Sequence, residues 1–544
     1  LVTITLKPEQ TLQTITGFGG AFTEASAYLL NRLSKENRKK IIDAYFSEEG
    51  AHYSLTRTHM NSCDFSLSNY SYTPVEGDKD LEHFSIKEDK DDLIPFIKES
   101  MAASTDGFKI FGSPWTAAPW MKDNNSWVGG KLLPEYYDTW ALFFSKYVAA
   151  YKNEGIDIWG FTVENEPLGN GNNWESMHYT PDEMTNFVQN HLGPKLKADY
   201  PNVKILGYDQ NREHLKEWVD SQFRNDETSK YFDGTAIHWY ASTFYYFPEE
   251  LQYANHKAPN KYLIQSEACI DAQVPVWQDD AWYWKKEATD WGWDWAKEED
   301  KYLHPKYAPV NRYARDIIGC LNNWVNGWVD WNMILDTKGG PNWFKNWCIA
   351  PVIVNPETDE VYFTPLYFTM THFSKYIRPE AKVIGLNNSD DKLMATAAIN
   401  PDAQNTEFKD EVMGRLIRFV SAHEVGHTLG LPHNMGSSSA YKVDDLRDSE
   451  FTKKYGTAPS IMDYARFNYV AQPGDEGVAL MPNIGVYDKH AIKWGYRPIL
   501  DAKTTEDEKA TLDKWILDHA DDPMYRFGQL NGIDPSAQTE DLGD

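Results

Sequence analysis

The sequence lacks long apolar runs, paired cysteine motifs and an excess of positive charge. No run of about 18 apolar residues occurs in its 544 residues, so it predicts no membrane-spanning helix. Its four cysteines are widely spaced without a Cys-x-x-Cys motif, which predicts neither a disulfide framework nor a cysteine metal site. A net charge of −28 disfavours nucleic acid or an anionic membrane surface as a partner, since both would repel the chain.

The length and the aromatic content are the first positive signals. The chain is roughly three to four times as long as a typical domain, so it has room for a large barrel and a smaller second unit. Aromatic residues make up 14% of the sequence, with 21 Trp, and sugar-binding clefts use such side chains, although core packing is the alternative for any single Trp. The chain opens Leu1-Val2-Thr3 without Met or a signal-peptide pattern, so we expect a processed or truncated start.

Strand-like and helix-like segments alternate over the first part of the chain. The eight strand candidates are Thr14–Phe22, Tyr53–Met60, Phe108–Trp115, Ile156–Glu164, Val203–Tyr208, Gly234–Tyr240, Tyr262–Glu267 and Gly327–Ile334. Helical periodicity occurs in Lys35–Phe46, Asp91–Ala103, Pro134–Asn153, Pro181–Ala198 and Tyr313–Val325. Such alternation predicts an α/β fold with a parallel sheet, and eight strands fit a (β/α)₈ TIM barrel.

Two glutamates lie where predicted strands end. Glu166, in Asn165-Glu166-Pro167, follows the fourth strand, and Glu267, in Ser266-Glu267-Ala268, ends the seventh. Barrel active sites lie at the carboxyl ends of the strands. Two carboxylates there can flank a glycosidic bond, one protonating the leaving oxygen and the other attacking the anomeric carbon. Either glutamate alone fits a salt bridge or a cap, but the pair predicts a glycosidase.

Residues 1–400 resemble glycoside hydrolase family 30, which includes glucosylceramidases and β-1,6-glucanases. The matching segments are Gly17–Phe22, Ser62–Ser66, Ser113–Trp115, Val163–Pro167, His238–Tyr240, Ser266–Cys269, Asp330–Asn332 and Gly339–Trp343. The resemblance implies a retaining double displacement without a cofactor, with Glu166 as acid/base and Glu267 as nucleophile. It implies a β-linked glucoside or glucan as the substrate. We expect a secreted, periplasmic or cell-surface protein of a bacterium.

The resemblance also implies a sugar pocket. The residues expected at the −1 glycosyl unit are Asp64, Trp115, Asn165, Trp331 and Asn346, with His238 and Tyr240 near the nucleophile and Trp174 at an outer subsite. Carboxylate and amide groups bond sugar hydroxyls, and indole faces stack on the apolar side of a pyranose. Barrel packing is the alternative for Trp115, Trp331 and His238. The Trp-rich insert Trp277–Trp295 is a second candidate for outer subsites.

Barrels of this family carry a side β-sandwich, and here its sequence begins and then stops. Leu1–Leu12 predicts its first strand, and Val383–Leu386 and Lys392–Ile399 predict later ones. After Asn400 the pattern changes to a helical stretch, Lys409–Leu429, so we expect an incomplete sandwich. The chain is therefore divided into residues 1–14 (first sandwich strand), 15–380 (barrel), 381–400 (truncated sandwich strands) and 401–544 (zinc-binding fragment).

A zinc-binding motif, HEVGHTLGLPH, occupies residues 423–433. His423 and His427 lie one helical turn apart and can share a metal ion, and His433 can supply a third ligand after the turn at Gly430. Glu424 is placed to act as a base on metal-bound water. Three histidines without a metal are the alternative interpretation.

Residues 401–544 resemble the C-terminal piece of a metzincin-type bacterial zinc metalloprotease. Met462, in Ser460–Tyr464, is similar to the turn beneath the metal of such enzymes. Nothing upstream of Asp410 supplies their sheet, so we expect a mostly helical fragment that is incomplete and inactive as a protease. A junction near Ile399–Asp402 without a Pro/Gly/Ser-rich linker predicts a chimera rather than a natural two-domain enzyme.

Three functional hypotheses follow from the sequence: a retaining β-glycosidase, a zinc endopeptidase, and a carbohydrate-binding protein without turnover. The first is favoured because the glutamate pair comes with all eight strands of its barrel. The three histidines form a set of metal ligands, but the sequence around them lacks the sheet of a protease. Sugar identity, linkage and oligomeric state have no signal in the sequence.

Overall fold

The computed structural model describes residues 2–170, 173–242, 245–271, 308–390, 392–401, 410–465, 467–472 and 474–528. The chain forms two units, Leu1–Ala403 and Gln404–Asp544. The predicted insert Trp277–Trp295 lies outside the described residues.

The first unit contains sixteen described strands. They are β1 (Ile4–Thr14), β2 (Gly17–Phe22), β3 (Leu55–Met60), β4 (Lys109–Pro114), β5 (Gly160–Thr162), β6 (Lys204–Asn211), β7 (Gly234–His238), β8 (Tyr262–Glu267), β9 (Ile270–Asp271), β10 (Gly327–Asn332), β11 (Ile334–Asp336), β12 (Cys348–Ile349), β13 (Val352–Asn355), β14 (Glu360–Phe363), β15 (Lys382–Asn388) and β16 (Ala398–Ile399). Strands β2 to β8 and β10 close a parallel barrel in that order. The predicted TIM barrel is confirmed, with one strand from each of the eight candidates.

Helices alternate with the barrel strands. Those of the first unit are α1 (Glu24–Leu30), α2 (Lys35–Phe46), α3 (Leu93–Ala103), α4 (Tyr137–Asn153), α5 (Pro181–Phe187), α6 (Gly193–Asp199), α7 (Leu215–Gln222), α8 (Asp226–Ser229), α9 (Pro248–Lys257), α10 (Ala308–Leu321) and α11 (Pro365–Ser374). A π-helical turn, Val188–Leu192, separates α5 from α6 where the sequence predicts one helix. The helices pack their apolar residues against the outer face of the barrel, which is the usual layering of this fold.

The interior of the barrel is apolar at its base and polar at its mouth. A fully buried cluster fills the base with one side chain from each of six strands, Leu55, Phe111, Leu206, Ala236, Ile264 and Val329. Toward the carboxyl ends of the same strands lie buried polar side chains, His59, Ser113, Asp209, His238, Glu267 and Asn332. The base therefore stabilises the barrel, and the mouth is available for chemistry.

Three small sheets accompany the barrel. Strands β1, β15 and β16 form an antiparallel sheet where the side sandwich is expected, β11, β13 and β14 form a second, and β9 pairs with β12. On β1, Ile4 and Leu6 are 42% and 55% exposed, so the described residues leave apolar positions of this side sheet uncovered.

The described part of the second unit is helical, as predicted, and contains no strand. Its helices are α12 (Asp410–Thr428), α13 (Val443–Leu446), α14 (Ser449–Tyr455), α15 (Val486–Tyr496) and α16 (Thr505–Leu517). Buried Asn434 joins three segments: its N–H donates to the Met462 carbonyl, its Nδ2 donates to the Arg526 carbonyl, and its Oδ1 accepts from the Gly528 N–H, at 2.8–3.0 Å. Among the described residues of both units, none of the helices is long and apolar enough to cross a membrane.

Candidate functional site

Glu166 lies at the mouth of the barrel, just beyond β5. Its φ of 51° is in the left-handed region, which is costly for a non-glycine residue and is concentrated at functional sites. Its N–H donates to the Asp209 carbonyl at 3.0 Å, and its own carbonyl accepts from the Gly169 N–H at 2.7 Å. These two hydrogen bonds hold the turn that places the carboxylate in the cavity described below.

Glu267 is the last residue of β8 and is 6% exposed. Its Oε1 accepts a hydrogen bond from the Tyr240 hydroxyl at 2.8 Å, and its Oε2 accepts one from Arg57 Nη1. Because both oxygens are held, the carboxylate has a single orientation at the mouth of the barrel.

Arg57, on β3, is fully buried and contacts four polar side chains. Besides Glu267, its Nη2 donates to Asn165 Oδ1 at 2.7 Å and to Asp209 Oδ2 at 2.8 Å, and its Nε donates to Ser113 Oγ at 2.9 Å. Burial alone would lower the pKa of Arg57, but the carboxylates of Asp209 and Glu267 raise it above its ordinary value. The guanidinium therefore remains positive, and it holds Glu267 directly and Glu166 through the neighbouring Asn165.

Asp209 lies in β6 at a bulge. Tyr208 and Asp209 have φ values of 68° and 73°, and the ladder to β7 shifts register there, which re-aims the side chain. Asp209 Oδ1 accepts hydrogen bonds from His238 Nε2 at 2.9 Å and from Ser266 Oγ at 2.5 Å. Burial alone would raise the pKa of Asp209, but the positive charges of Arg57 and His238 lower it below its ordinary value.

His238 ends β7 and is fully buried, with Asp209 and Glu166 beside its two ring nitrogens. Its Nδ1 lies 3.5 Å from Glu166 Oε1, an ion-pair distance too long for a strong hydrogen bond. Burial alone would lower the pKa of His238, but the charges of Glu267 and Asp209 raise it to about 9. At neutral pH His238 is therefore an imidazolium, and the polar network runs from Glu166 through His238, Asp209 and Arg57 to Glu267.

A cavity of about 430 Å³ opens over both glutamates. Seven predicted sugar-site residues line it: Asp64, Trp115, Asn165, Trp174, Tyr240, Trp331 and Asn346. Gly169, Asn170, Gln210, Asn211, Cys269, Trp347 and Cys348 line it as well. Of the eight predicted sugar-site residues, only His238 does not line this cavity; it lies behind Glu166.

The chemistry of the cavity wall suits a pyranose ring. Trp115 and Trp331, only 1% and 2% exposed, stack with their ring centroids 5.1 Å apart and contribute apolar atoms to the cavity wall. Asn346 Nδ2 donates to Asp64 Oδ2 at 3.0 Å, and burial followed by the charge of Glu267 raises the pKa of Asp64 well above its ordinary value. Carboxyl and amide groups beside an indole face can bond hydroxyls and stack on the sugar together.

Sequence reasoning did not select Arg57 or Asp209. Both carried a signal: Arg57 is a charged residue inside the buried run Leu55–Met60, and Asp209 directly follows the predicted strand Val203–Tyr208. The rule that polar residues at strand ends are candidates for function identified the two glutamates, and it applies equally to Asp209.

In the second unit the structure brings His423, His427 and His433 together. Their ligand atoms lie within 4.8 Å of one another, and His427 Nε2 is 3.0 Å from His433 Nε2. His423 Nδ1 contacts the Ile461 carbonyl at 2.7 Å, and His427 Nδ1 contacts the Leu431 carbonyl at 3.0 Å. Carbonyl partners at Nδ1 of His423 and His427 leave their Nε2 atoms for a metal, and the 3.0 Å between His427 and His433 Nε2 is close to the roughly 3.4 Å between the ligands of tetrahedral zinc.

Met462 lies in a turn that packs against the helix carrying His423 and His427. Its turn is anchored by buried Asp488, which accepts hydrogen bonds from Ser460 Oγ at 2.6 Å and the Ile461 N–H at 2.8 Å. A Cβ at Gly426 would lie 2.4 Å from Met462 Sδ, so the Met462 side chain packs closely against the helix that carries His423 and His427. The turn and the helix therefore help to fix the relative positions of the imidazoles.

The helix that carries the histidines is poorly covered. Its apolar residues Met413, Ile417 and Val420 are 42%, 59% and 53% exposed, and Glu424 is exposed as well. Within the described residues no sheet of the second unit covers this face. The ligand cluster is present without the surrounding core that would enclose a peptide substrate.

Comparisons with known proteins agree with both units. Residues 15–377 match the profile described as Glycosyl hydrolase family 30 TIM-barrel domain, and residues 405–544 match the profile described as Met-zincin. Putative glucosylceramidase 3 of Caenorhabditis elegans is 36% identical over 69% of this chain and 69% of its own length. Lysosomal acid glucosylceramidase of Mus musculus is 33% identical over 73% of this chain and 75% of its own.

Glucanases and a bacterial protein are similar too. The endo-1,6-β-D-glucanase of Neurospora crassa is 26% identical over 74% of this chain and 79% of its own. Among solved structures, SrfJ from Salmonella typhimurium has a TM-score of 0.64 with 30% identity, covering 73% of this chain and 83% of its own. An endo-β1,6-glucanase has a TM-score of 0.63 with 30% identity, covering 73% and 85%.

The closed barrel and its match to glycosidases over most of the chain define the class of protein: it is a β-glycoside hydrolase. The chain belongs to glycoside hydrolase family 30, and its residues 405–544 carry a Met-zincin segment.

Proposed function

We propose that the first unit hydrolyses β-glucosides with retention of configuration, with Glu267 as the nucleophile and Glu166 as the acid/base. One observation carries the assignment: the two carboxylates line one cavity at the ends of the fourth and seventh barrel strands. Two hydrogen bonds fix Glu267, as attack at a defined carbon requires. Glu166 is held by a looser 3.5 Å contact with His238, which suits a group that releases and regains a proton.

In the first step a Glu267 oxygen attacks the anomeric carbon while Glu166 protonates the glycosidic oxygen. The glycosidic bond breaks, the aglycone leaves as an alcohol, and the sugar is esterified to Glu267. Glu166 is then a carboxylate, which the His238 imidazolium at 3.5 Å stabilises.

In the second step Glu166 takes a proton from water, whose oxygen attacks the anomeric carbon. The ester bond breaks, Glu267 returns to a carboxylate, and Arg57 and Tyr240 again bond its oxygens. Two inversions give net retention. Arg57, Asp209 and His238 act as positioning residues because they hold the two glutamates.

The proposed substrate class is a β-linked glucoside or glucan. The similar proteins are named glucosylceramidases and endo-1,6-β-glucanases, and Trp115 and Trp331 give the cavity wall an apolar part beside Asp64 and Asn346. Trp174 packs edge to face with Phe344 at 5.5 Å on the rim, where it would contact the next sugar or the aglycone. A charge of −28 suits such uncharged substrates.

The test compares 4-nitrophenyl β-D-glucoside with β-1,6-glucan in three variants. We expect Glu267→Gln to abolish turnover of both substrates. Glu166→Gln should lower kcat/KM for the glucan by about 10²- to 10⁴-fold, and less for the nitrophenyl glucoside, whose leaving group needs little protonation. Exposed Glu213→Gln, outside the cavity, is the matched control. Turnover that persists in Glu267→Gln contradicts the assignment, and binding without hydrolysis by wild type supports a carbohydrate-binding protein instead.

Azide separates the two roles further. In Glu267→Ala, azide should restore cleavage of the nitrophenyl glucoside by direct attack and yield the α-glucosyl azide. In Glu166→Ala, azide should replace water in the second step and yield the β-glucosyl azide. Products of the opposite configurations would reverse the roles of the two residues.

We also propose that the second unit binds one Zn²⁺ through His423, His427 and His433. Support comes from three imidazoles whose ligand atoms lie within 4.8 Å of one another. Bound zinc would polarise a substrate carbonyl and activate water, and Glu424 would accept its proton. The exposed face of α12 favours zinc binding without proteolysis.

Metal analysis tests this second proposal. Purified chain loaded with zinc and desalted should retain one equivalent, and His427→Ala should lose it, while Glu424→Gln should retain it. Casein should remain uncleaved by the wild type. Casein cleavage that Glu424→Gln abolishes would establish the endopeptidase alternative.

We further propose that the chain is a chimera and that its glycosidase acts outside the cytoplasm. The division into units at Ala403 and Gln404 lies next to the expected junction, and the uncovered β1 sheet suits a sandwich that stops early. Sequencing the source DNA across codons 395–410 tests the chimera, and fractionation of the producing cell tests the location.

A further inference from the structure

Cys269 and Cys348 lie side by side in the wall of the glycosidase cavity. Cys269 follows Glu267 by two residues, and Cys348 begins β12, which pairs antiparallel with β9 through Ile349 and Ile270. This pairing brings the two Sγ atoms to 3.2 Å, inside van der Waals contact and beyond the roughly 2.05 Å of a disulfide bond. The two cysteines are 79 residues apart in the sequence, so no sequence pattern predicts that they meet.

Within the part of the chain that the structure describes, both cysteines are buried and line the cavity. The residues are 4% and 2% exposed, and both line the 430 Å³ cavity together with Glu267. The other two cysteines are buried apart from this pair: Cys320 Sγ contacts Asp316 at 3.5 Å, and Cys63 Sγ contacts Ser66 at 3.9 Å. A small oxidant entering the cavity therefore meets one cysteine pair.

We propose that Cys269 and Cys348 form a reversible disulfide when a peroxide oxidises them, and that this disulfide lowers the activity of the glycosidase. The thiolate of one cysteine attacks the peroxide, the O–O bond breaks, and a sulfenic acid and water form. The second thiolate attacks the sulfenic sulfur and expels a second water. Two thiols and one hydrogen peroxide thus give one disulfide and two waters, and a dithiol reductant reverses the oxidation.

The bond would disturb the groups around the proposed nucleophile. Closing the sulfurs requires a movement of roughly 1.2 Å. The Tyr240 hydroxyl lies 3.6 Å from Cys269 Sγ and donates to Glu267 Oε1 at 2.8 Å, so movement of Cys269 alters the environment of this donor. Cys348 directly follows Asn346 and Trp347, which line the cavity as well. An approximately 1 Å displacement of catalytic groups lowers rates by about tenfold to a hundredfold.

The effect on catalysis rests on the proposed function, whereas formation of the bond does not. Full-length protein is reduced with dithiothreitol, desalted, and treated with hydrogen peroxide. Intact mass should fall by two hydrogens, and peptide mapping should find Cys269 joined to Cys348. The kcat/KM of the oxidised protein should be about tenfold or more below that of the same protein reduced, and dithiothreitol should restore it.

Each variant is compared with its own reduced form. Cys348→Ser should show no cross-link and no oxidant-dependent loss of rate, whereas Cys320→Ser, which keeps the pair, should behave as wild type does. Oxygen added to a single cysteine in place of the cross-link overturns the proposal. So does a cross-link that leaves kcat/KM unchanged. A cross-link in a protein without hydrolytic activity overturns the proposed function and the regulatory role, and leaves the disulfide established by mass.

Discussion

His238 and Asp209 form a fully buried ion pair, with His238 Nε2 2.9 Å from Asp209 Oδ1. Neither residue reacts in the proposed mechanism, yet the pair connects the loops that carry the two glutamates. Glu166 lies 3.5 Å from the other imidazole nitrogen, and Arg57 joins Asp209 to Glu267. The geometry of catalysis therefore depends on charges buried behind the cavity, and these charges carry the next two predictions.

The charge of His238 predicts a loss of stability at alkaline pH. Its pKa is raised from 6.5 in the unfolded chain to about 9 in the folded protein, where burial is outweighed by Glu267 and Asp209. The contribution is fully present below pH 6.5 and is lost as the pH rises through 9, an effect on the order of 3 kcal/mol.

Urea unfolding followed by Trp fluorescence at pH 6, 8 and 10 measures this effect. The wild type should lose free energy of unfolding between pH 6 and 10, and His238→Gln should lose less. Exposed His256→Gln is the matched control and should follow the wild type. Identical pH dependence in His238→Gln and wild type would show that His238 is not the titrating group.

Removing Arg57 should be strongly destabilising. Arg57→Met leaves the buried carboxylates of Asp209 and Glu267 without their shared cation, and loss of one partner of a buried ion pair costs about 3–5 kcal/mol. The matched control is Arg38→Met, which removes a surface pair with Glu99 at 2.6 Å and should cost about 1 kcal/mol or less.

The free energy of unfolding of each variant in urea decides the comparison. Arg57→Lys, which keeps the charge and loses the forked geometry, should fall between wild type and Arg57→Met. Equal losses in the Arg57→Met and Arg38→Met variants would mean that the buried network contributes nothing beyond a surface pair.

A side chain at Gly426 should disturb its contact with Met462. In Gly426→Ala the added Cβ would lie 2.4 Å from Met462 Sδ, so the buried Met462 side chain must move. On the same helix, Gly414→Ala would meet only Arg418 Nη1 at 3.8 Å, and replacing a helical glycine there should stabilise by about 0.5–1 kcal/mol.

Zinc retention and thermal melting of the second unit measure the difference between these two alanines. Gly426→Ala should weaken zinc retention and lower the melting temperature, whereas Gly414→Ala should do neither. Equal zinc affinity in the two variants would show that the Met462 turn does not position the ligands.

The sequence predicts the barrel well because its strands are buried runs separated by amphipathic helices. Glu166 and Glu267 were predicted because they end such runs, and the structure places both in one cavity. Boundaries were less predictable: the nine-residue candidate Ile156–Glu164 forms only Gly160–Thr162, since pairing with β4 and β6 ends there.

Contacts between distant segments could not be predicted in the same way. Asp209 reaches Arg57 through a bulge with two left-handed residues; the preceding Gly207 is consistent with a bulge there, but it does not determine where the Asp209 side chain points. Cys269 and Cys348 meet through the pairing of two two-residue strands, too short for a periodic signal. Local patterns determine elements, whereas these contacts depend on closure of the whole barrel.

The central claim is that Glu267 forms a covalent bond to the sugar, and trapping that bond tests it most directly. Full-length protein is incubated with 2-deoxy-2-fluoro-β-D-glucosyl fluoride, whose fluorine slows the second step more than the first. The account predicts a protein heavier by one fluoroglucosyl group, with the label on Glu267 and absent from the Glu267→Gln variant. A label on any other residue, or an unlabelled protein that still hydrolyses β-glucosides, would contradict it.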